Sequence, residues 1–117
     1  MTESLRVGVD VRVPSLRVVR FGRHDVSEST SAGQPGVWTF LDFEAPDEAA
    51  DELAAALAGA LLAGQGWYAD FTVGDDHVVV FAGRVFRYAK GDQAGRAAAV
   101  EYGRSAGVPD HQLDWGG

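Results

Sequence analysis

Residues 66–88, GWYADFTVGDDHVVVFAGRVFRY, are the most aromatic part of the chain, and their pattern decides the fold class. Trp67, Ala69, Phe71 and Val73 alternate with Tyr68, Asp70 and Thr72, the period of two that places one set on a buried sheet face and the other on a polar face. Gly74-Asp75-Asp76 supplies a turn. Residues 77–82 return as a second strand, and Gly83 interrupts them before RVFRY at 84–88. A lone glycine in such a pattern predicts a bulge or bend through which the extended run continues.

Outward from this stretch, VWTFLDFE at 37–44 reads as a strand, dense in aromatic and β-branched residues and closed by Asp42 and Glu44. Pro46, Asp47 and Glu48 then open a helix over 46–63, with Pro tolerated in the first turn and the acids complementing the positive end of the dipole. Within it Ala50, Leu53, Ala54, Leu57, Ala60 and Leu61 recur at three- and four-residue spacing. Gly64 and Gly66 stop it. A second helix is predicted over 93–106, capped by Asp92, with an apolar side made mostly of alanine and closed by Gly107 and Pro109. Residues 112–115, QLDW, suggest a short closing strand.

The order from Val37, β-α-β-β-α with a possible last strand, predicts an α+β, ferredoxin-like (split βαβ) antiparallel sheet with two helices on one face. The other face is then open to solvent, a second subunit or a ligand. Ahead of it, residues 1–36 read as an extended N-terminal arm and flexible linker. Val7, Val9, Val11 and Val13 alternate as a strand would until Pro14. Residues 22–36, GRHDVSESTSAGQPG, hold little to bury. This segment carries a formal charge of +1 against -8 for 37–117. The contrast divides the chain into an arm, a candidate appendage, and a compact domain over 37–117.

The blocks WTFLDFE, GWYADF, VVVFAGRVFRY, GDQAGRAAAVEYGRSAGVP and QLDW resemble those of small, functionally uncharacterised actinobacterial proteins. The resemblance covers about 37–115 and implies a compact α+β domain. It brings no activity and no catalytic residue.

Composition excludes several functional classes. With 117 residues, 46 % hydrophobic and 23 % charged, the chain suits one globular domain. It has no cysteine, which removes disulfides, thiolate metal sites and cysteine nucleophiles. A net charge of -7 opposes a general affinity for nucleic-acid phosphates. The longest apolar run, at 53–63, is about half of the ~20 residues a membrane span needs. Charged residues interrupt any signal-like apolar segment near the start, so a cytoplasmic location is the default expectation.

No constellation carries recognisable chemistry. Asp75-Asp76-His77 is the nearest to a metal-ligand cluster, but neighbouring strand residues point apart, and a polar hairpin turn accounts for it. His24-Asp25 and His111 lack an activated nucleophile beside them. The glycines at 64 and 66 follow a helix and precede a strand, the reverse of a phosphate loop. No cofactor and no metal is implied. Asp42, Tyr68, Asp70 and Arg87 could project onto one polar sheet face beside Trp38 and Phe40, making an aromatic-walled pocket with a carboxylate pair and a guanidinium. Solvated cross-strand salt links are the plainer account of the same four residues.

These readings favour a small, acidic, non-catalytic binding or interaction module acting through an open sheet face, with a protein partner or a second copy of itself as ligand. The alternative is a small-molecule binding protein or minor enzyme using Asp42, Tyr68, Asp70 and Arg87. A third reading is an immunity-type inhibitor whose acidic surface covers a basic partner.

Overall fold

A computed structural model describes residues 2–30 and 33–113. The chain is α+β, with two antiparallel sheets and two α-helices. A two-stranded ribbon pairs β1 (Arg17–Asp25) with β2 (Val37–Glu44). After a single 3-10 turn at Asp47–Ala49 comes α1 (Ala50–Ala60), then a meander of β3 (Ala69–Val73), β4 (Asp76–Phe81) and β5 (Arg84–Ala89). The second helix, α2 (Gln93–Ser105), follows, and a 3-10 turn at Asp110–Gln112 closes the described chain.

The meander is built from two tight reversals. Gly74, at φ +54°, stands first in a two-residue loop, and Val73 faces Asp76 across it. This is the position where a hairpin turn matched to strand twist takes glycine. The second reversal is Ala82-Gly83, across which Phe81 faces Arg84. Gly83, at φ +74°, is therefore a hairpin turn and not a bulge in a continuing strand, and its N–H donates to the Ala58 carbonyl of α1.

Strand β4 lies between β3 and β5 and is buried on both faces. Val78 and Val80 pack with Ala54, Leu57 and Leu61 of the α1 region. Val79 and Phe81, with Tyr88, pack with Ala99 of α2 and with Val108 and Leu113 beyond it. The two helices thus cover opposite faces of the three-stranded sheet, not one face. Neither face of the meander is left open, and the split βαβ layout is not the one observed. An unbroken apolar run is what a doubly covered strand requires, and HVVVF has that form, without the alternation of a half-solvated strand.

The second departure concerns the N-terminal residues. Strand β2 joins β1 in place of the meander, and residues 22–25, read as linker, belong to β1. The alternating valines at 7–13 form no strand: Val7 is fully exposed, whereas Val13 is buried with Ala49 and Leu53. Leu5 makes a bridge to Leu61, the Arg6 N–H donates to Ala60 O, and the Arg6 guanidinium donates to Gly59 O. The early chain therefore caps the end of α1 and covers its outer side. It contributes to the same core as the rest, and of the residues read as arm and linker, 17–25 are strand β1.

Two helix boundaries follow sequence chemistry. Asp92 caps α2, its carboxylate accepting the Gly95 N–H at 3.0 Å. The end of α1 passes into extended backbone at Leu61, and Gly64 and Gly66, both at positive φ, turn the chain toward β3. At the C-terminal end, residues 110–112 turn instead of extending, and Leu113 is buried; Asp114 and Trp115 lie outside the described residues. Among the described residues no helix is long and apolar enough to cross a membrane.

Candidate functional site

The four residues expected to share a pocket do not converge. Asp42 is on β2, where it pairs with Arg20 of β1 at 3.4 Å. Tyr68 precedes β3; its ring packs on Phe81 and its hydroxyl donates to Gln112 O, so it belongs to the α2-side core. Asp70 faces Val79, and its carboxylate accepts a hydrogen bond from His77 Nε2 at 3.2 Å. Arg87 faces Val78, one register step away, and so points to the opposite side of the sheet. There its guanidinium holds Asp76 at 2.8 Å and Asp51 of α1 at 3.2 Å. The hydrogen bond to Asp76 is the main reason that Arg87 titrates above its usual range, with both carboxylates adding attraction.

His77 is a core histidine. It is 6 % exposed and its ring stacks on Tyr88 at 5.7 Å, with 15° between planes. Burial pushes the Tyr88 hydroxyl above its ordinary range; the nearby Arg96 charge opposes this and Asp70 adds to it. The Tyr88 hydroxyl and the Trp67 indole N–H are both buried, with no hydrogen-bond partner among the described residues. Each such group costs about 1–3 kcal/mol, so both mark places where shape outweighs polar satisfaction. Among the described residues no three His, Cys, Asp or Glu side chains form a group fit to hold a metal ion.

Two cavities among the described residues are small. One of about 160 Å³ lies between the end of β2, the start of α1 and β3, lined by Phe43, Pro46, Leu53 and Phe71 among others. A second, of about 90 Å³, is lined by Gln34, Trp38, Gly66, Trp67, Tyr68 and Gln112. Both fall well below the roughly 300–1,000 Å³ of ordinary small-molecule pockets.

Among the described residues, most of the exposed large apolar side chains lie on the ribbon. Val18 is 55 % exposed, Val19 48 % and Phe21 71 %, with Val37 and Phe43 also exposed. The register explains this distribution. Trp38 and Phe40 are on one face opposite His24 and Gly22, and Trp38 anchors that face by packing on Trp67 at 5.0 Å. Phe21 is on the other face beside Leu41, and Val18 beside Phe43. A bulge lies between Val18 and Arg20, with Val19 the extra residue.

The two edges of the ribbon differ. On the β2 side, Glu3 accepts the Thr39 N–H at 2.6 Å. Burial pushes the Glu3 carboxyl upward, but the hydrogen bonds from the backbone and side chain of Thr39 and the charge of Arg23 outweigh it, and the group titrates below its ordinary value. Because the Thr39 amide points away from β1, Thr39 and Arg23 form a non-hydrogen-bonded pair. The Val26 N–H donating to Gly36 O sets the same phase from the other end. Alternation then directs the N–H and C=O of Phe21 and Arg23 outward, away from β2. Among the described strands, β1 pairs with β2 alone, so this outer edge carries no ladder.

No family model, curated protein or solved structure matches the chain. The sequence pattern gave one signal for the ribbon, the β-branched and aromatic content of residues 17–21. The glycine and polar residues that follow hid the strand's second half.

Proposed function

We propose that this protein is a small non-catalytic interaction module that binds protein through the β1 edge of its ribbon. One observation carries the reading: a nine-residue strand with exposed Val18, Val19 and Phe21 and an outer edge without a ladder. An unpaired edge with apolar side chains is the template that strand addition uses, main-chain hydrogen bonds giving affinity and side chains specificity. The rest of the molecule supplies a rigid base, because Trp38, Glu3 and Gln34 tie the ribbon to the body.

Val19→Glu/Phe21→Glu tests the reading, since both side chains are exposed and their replacement leaves the core alone. Sedimentation of the purified chain, together with affinity capture, compares this variant with the wild type. Association that disappears in the variant, with the melting temperature kept, supports the module. Association that survives it overturns the assignment to β1.

A further inference from the structure

Half of the residues around the smaller cavity are aromatic, and none of them is charged. We infer that this cavity is a binding site for a methylated ammonium head group, the group carried by free choline-type molecules and by trimethylated lysine. The site is separate from the β1 edge and does not rest on the reading of that edge.

The floor is made by residues far apart in the chain. Trp38 of β2 and Trp67 are both buried, with ring centroids 5.0 Å apart and planes inclined at 52°, so the two indoles meet at an angle and not as a flat stack. Tyr68 adds a third ring, and the half-buried Gln34 and Gln112 form the rim. A cation is attracted to the negative face of an aromatic ring within about 6 Å of its centroid, most strongly by tryptophan and where water is excluded. In a cavity of about 90 Å³ such a cation stands against aromatic carbon on more than one side.

The hydrogen bonds around the cavity narrow the choice of ligand. Trp38 donates its indole N–H to Pro35 O at 2.8 Å, and Tyr68 its hydroxyl to Gln112 O at 3.2 Å. The Gln34 amide donates to Gln65 O at 2.8 Å and the Gln112 amide to Ser29 O at 2.6 Å. With these donors committed to main-chain carbonyls, and the Trp67 N–H buried, the cavity presents chiefly ring surface and little that would hold an anion. No carboxylate lines it, so a primary ammonium, with three N–H donors to satisfy, is poorly served. A quaternary ammonium carries its charge without any N–H, and its methyl groups suit ring carbon.

Size and charge agree with this. A water takes about 30 Å³ of the liquid, so the cavity holds about three or four non-hydrogen atoms, a head group and not a whole molecule. The rest of the ligand would leave past Gln34 and Gln112. Arg96 donates to Leu113 O at 3.4 Å, outside the lining, and the net charge of -7 favours the approach of a cation.

The test is a nuclear magnetic resonance titration of the full chain with choline, following the indole N–H signals. The control is the uncharged carbon isostere of choline, in which a tert-butyl group replaces the trimethylammonium. Choline is expected to bind saturably and at least about tenfold tighter than the isostere, the gain from one or two partly desolvated cation–π contacts. Gln112→Lys brings a cation to the half-exposed rim and is expected to weaken choline by about tenfold while sparing the isostere. Trp67→Leu keeps apolar bulk but removes a ring, and is expected to abolish the preference for choline; if that variant does not fold, Gln112→Lys still decides.

No saturable binding of choline overturns the site. Equal binding of choline and isostere makes the cavity a plain apolar void and overturns the cation reading, and an unchanged choline affinity in Gln112→Lys overturns the location. Once choline binds, a trimethyl-lysine peptide that binds at least about tenfold tighter assigns the head group to a modified protein, and one that binds no tighter assigns it to a free small molecule. Val19→Glu/Phe21→Glu leaves every lining residue in place, so failure here and failure at the β1 edge are read separately.

Discussion

The Glu3 carboxylate accepts the Thr39 backbone N–H at 2.6 Å, so a residue at the start of the chain closes the outer edge of β2. The asymmetry of the ribbon follows from that contact. One edge is terminated by a side chain, and the other, β1, faces solvent along its length.

Glu3→Ala should destabilise the fold by about 1.5–3 kcal/mol near neutral pH, the range for a lost hydrogen bond to a charged group. The Glu3 carboxyl titrates below its ordinary value of 4.5 in the folded chain. Its contribution is therefore complete above that value and is lost as pH falls through the lower folded value. Denaturation of wild type and variant at a series of pH values should show two stabilities that converge on acidification; a gap that stays constant would show that the carboxylate charge contributes nothing.

Removal of residues 1–36 should abolish cooperative unfolding or lower the melting temperature steeply. The deletion takes away β1, the partner of β2, and also Ser4 and Val13, which are buried against the rest of the chain. Circular dichroism melting of the shortened chain checks this, and an unchanged transition would restore the view of this segment as an appendage.

Trp38→Ala should cost about 3–5 kcal/mol, as large-to-small changes at buried aromatic sites do. Trp38 packs on Trp67 and donates its indole N–H to Pro35 O at 2.8 Å, so it fixes both the ribbon's seat and the loop that leads into β2. Urea denaturation measures the loss. A cost below about 1 kcal/mol would mean that the ribbon is held by its other contacts.

Two helical glycines should respond in opposite directions to alanine. At Gly59 an added Cβ meets nothing within 4 Å, so Gly59→Ala should gain about 0.5–1 kcal/mol from helix propensity. At Gly95 the same atom would lie 2.5 Å from the Tyr88 Cβ, where α2 approaches β5 closely. Gly95→Ala should lose about 1–3 kcal/mol by overpacking. Parallel thermal melts of both variants test the pair.

Much of the fold could be read along the chain because local chemistry decides it. Alternation at 67–73, the two-residue reversal at Gly74, the three- and four-residue spacing of α1 and the Asp92 cap each depend on residues within a few positions of one another. The candidate pocket failed for a different reason. Alternation says which residues of one strand share a face, but the register between strands depends on the turns. Asp70 falls opposite Val79, and Val79 opposite Phe86, which leaves Arg87 one step off and on the far side. Asp42 is farther away still, on another sheet.

By itself, then, the amino-acid order determined the α+β class, both helices, the strand 37–44 and the three extended runs of the meander. It also contained, in the unbroken HVVVF of β4, the mark of a strand covered on both faces. Tertiary structure alone decided that β2 pairs with β1, that α1 and α2 lie on opposite sides, and that the apolar edge left exposed belongs to the ribbon. Those outcomes rest on contacts between residues far apart in the chain, such as Glu3 with Thr39 and Trp38 with Trp67, whose pairing no local pattern encodes.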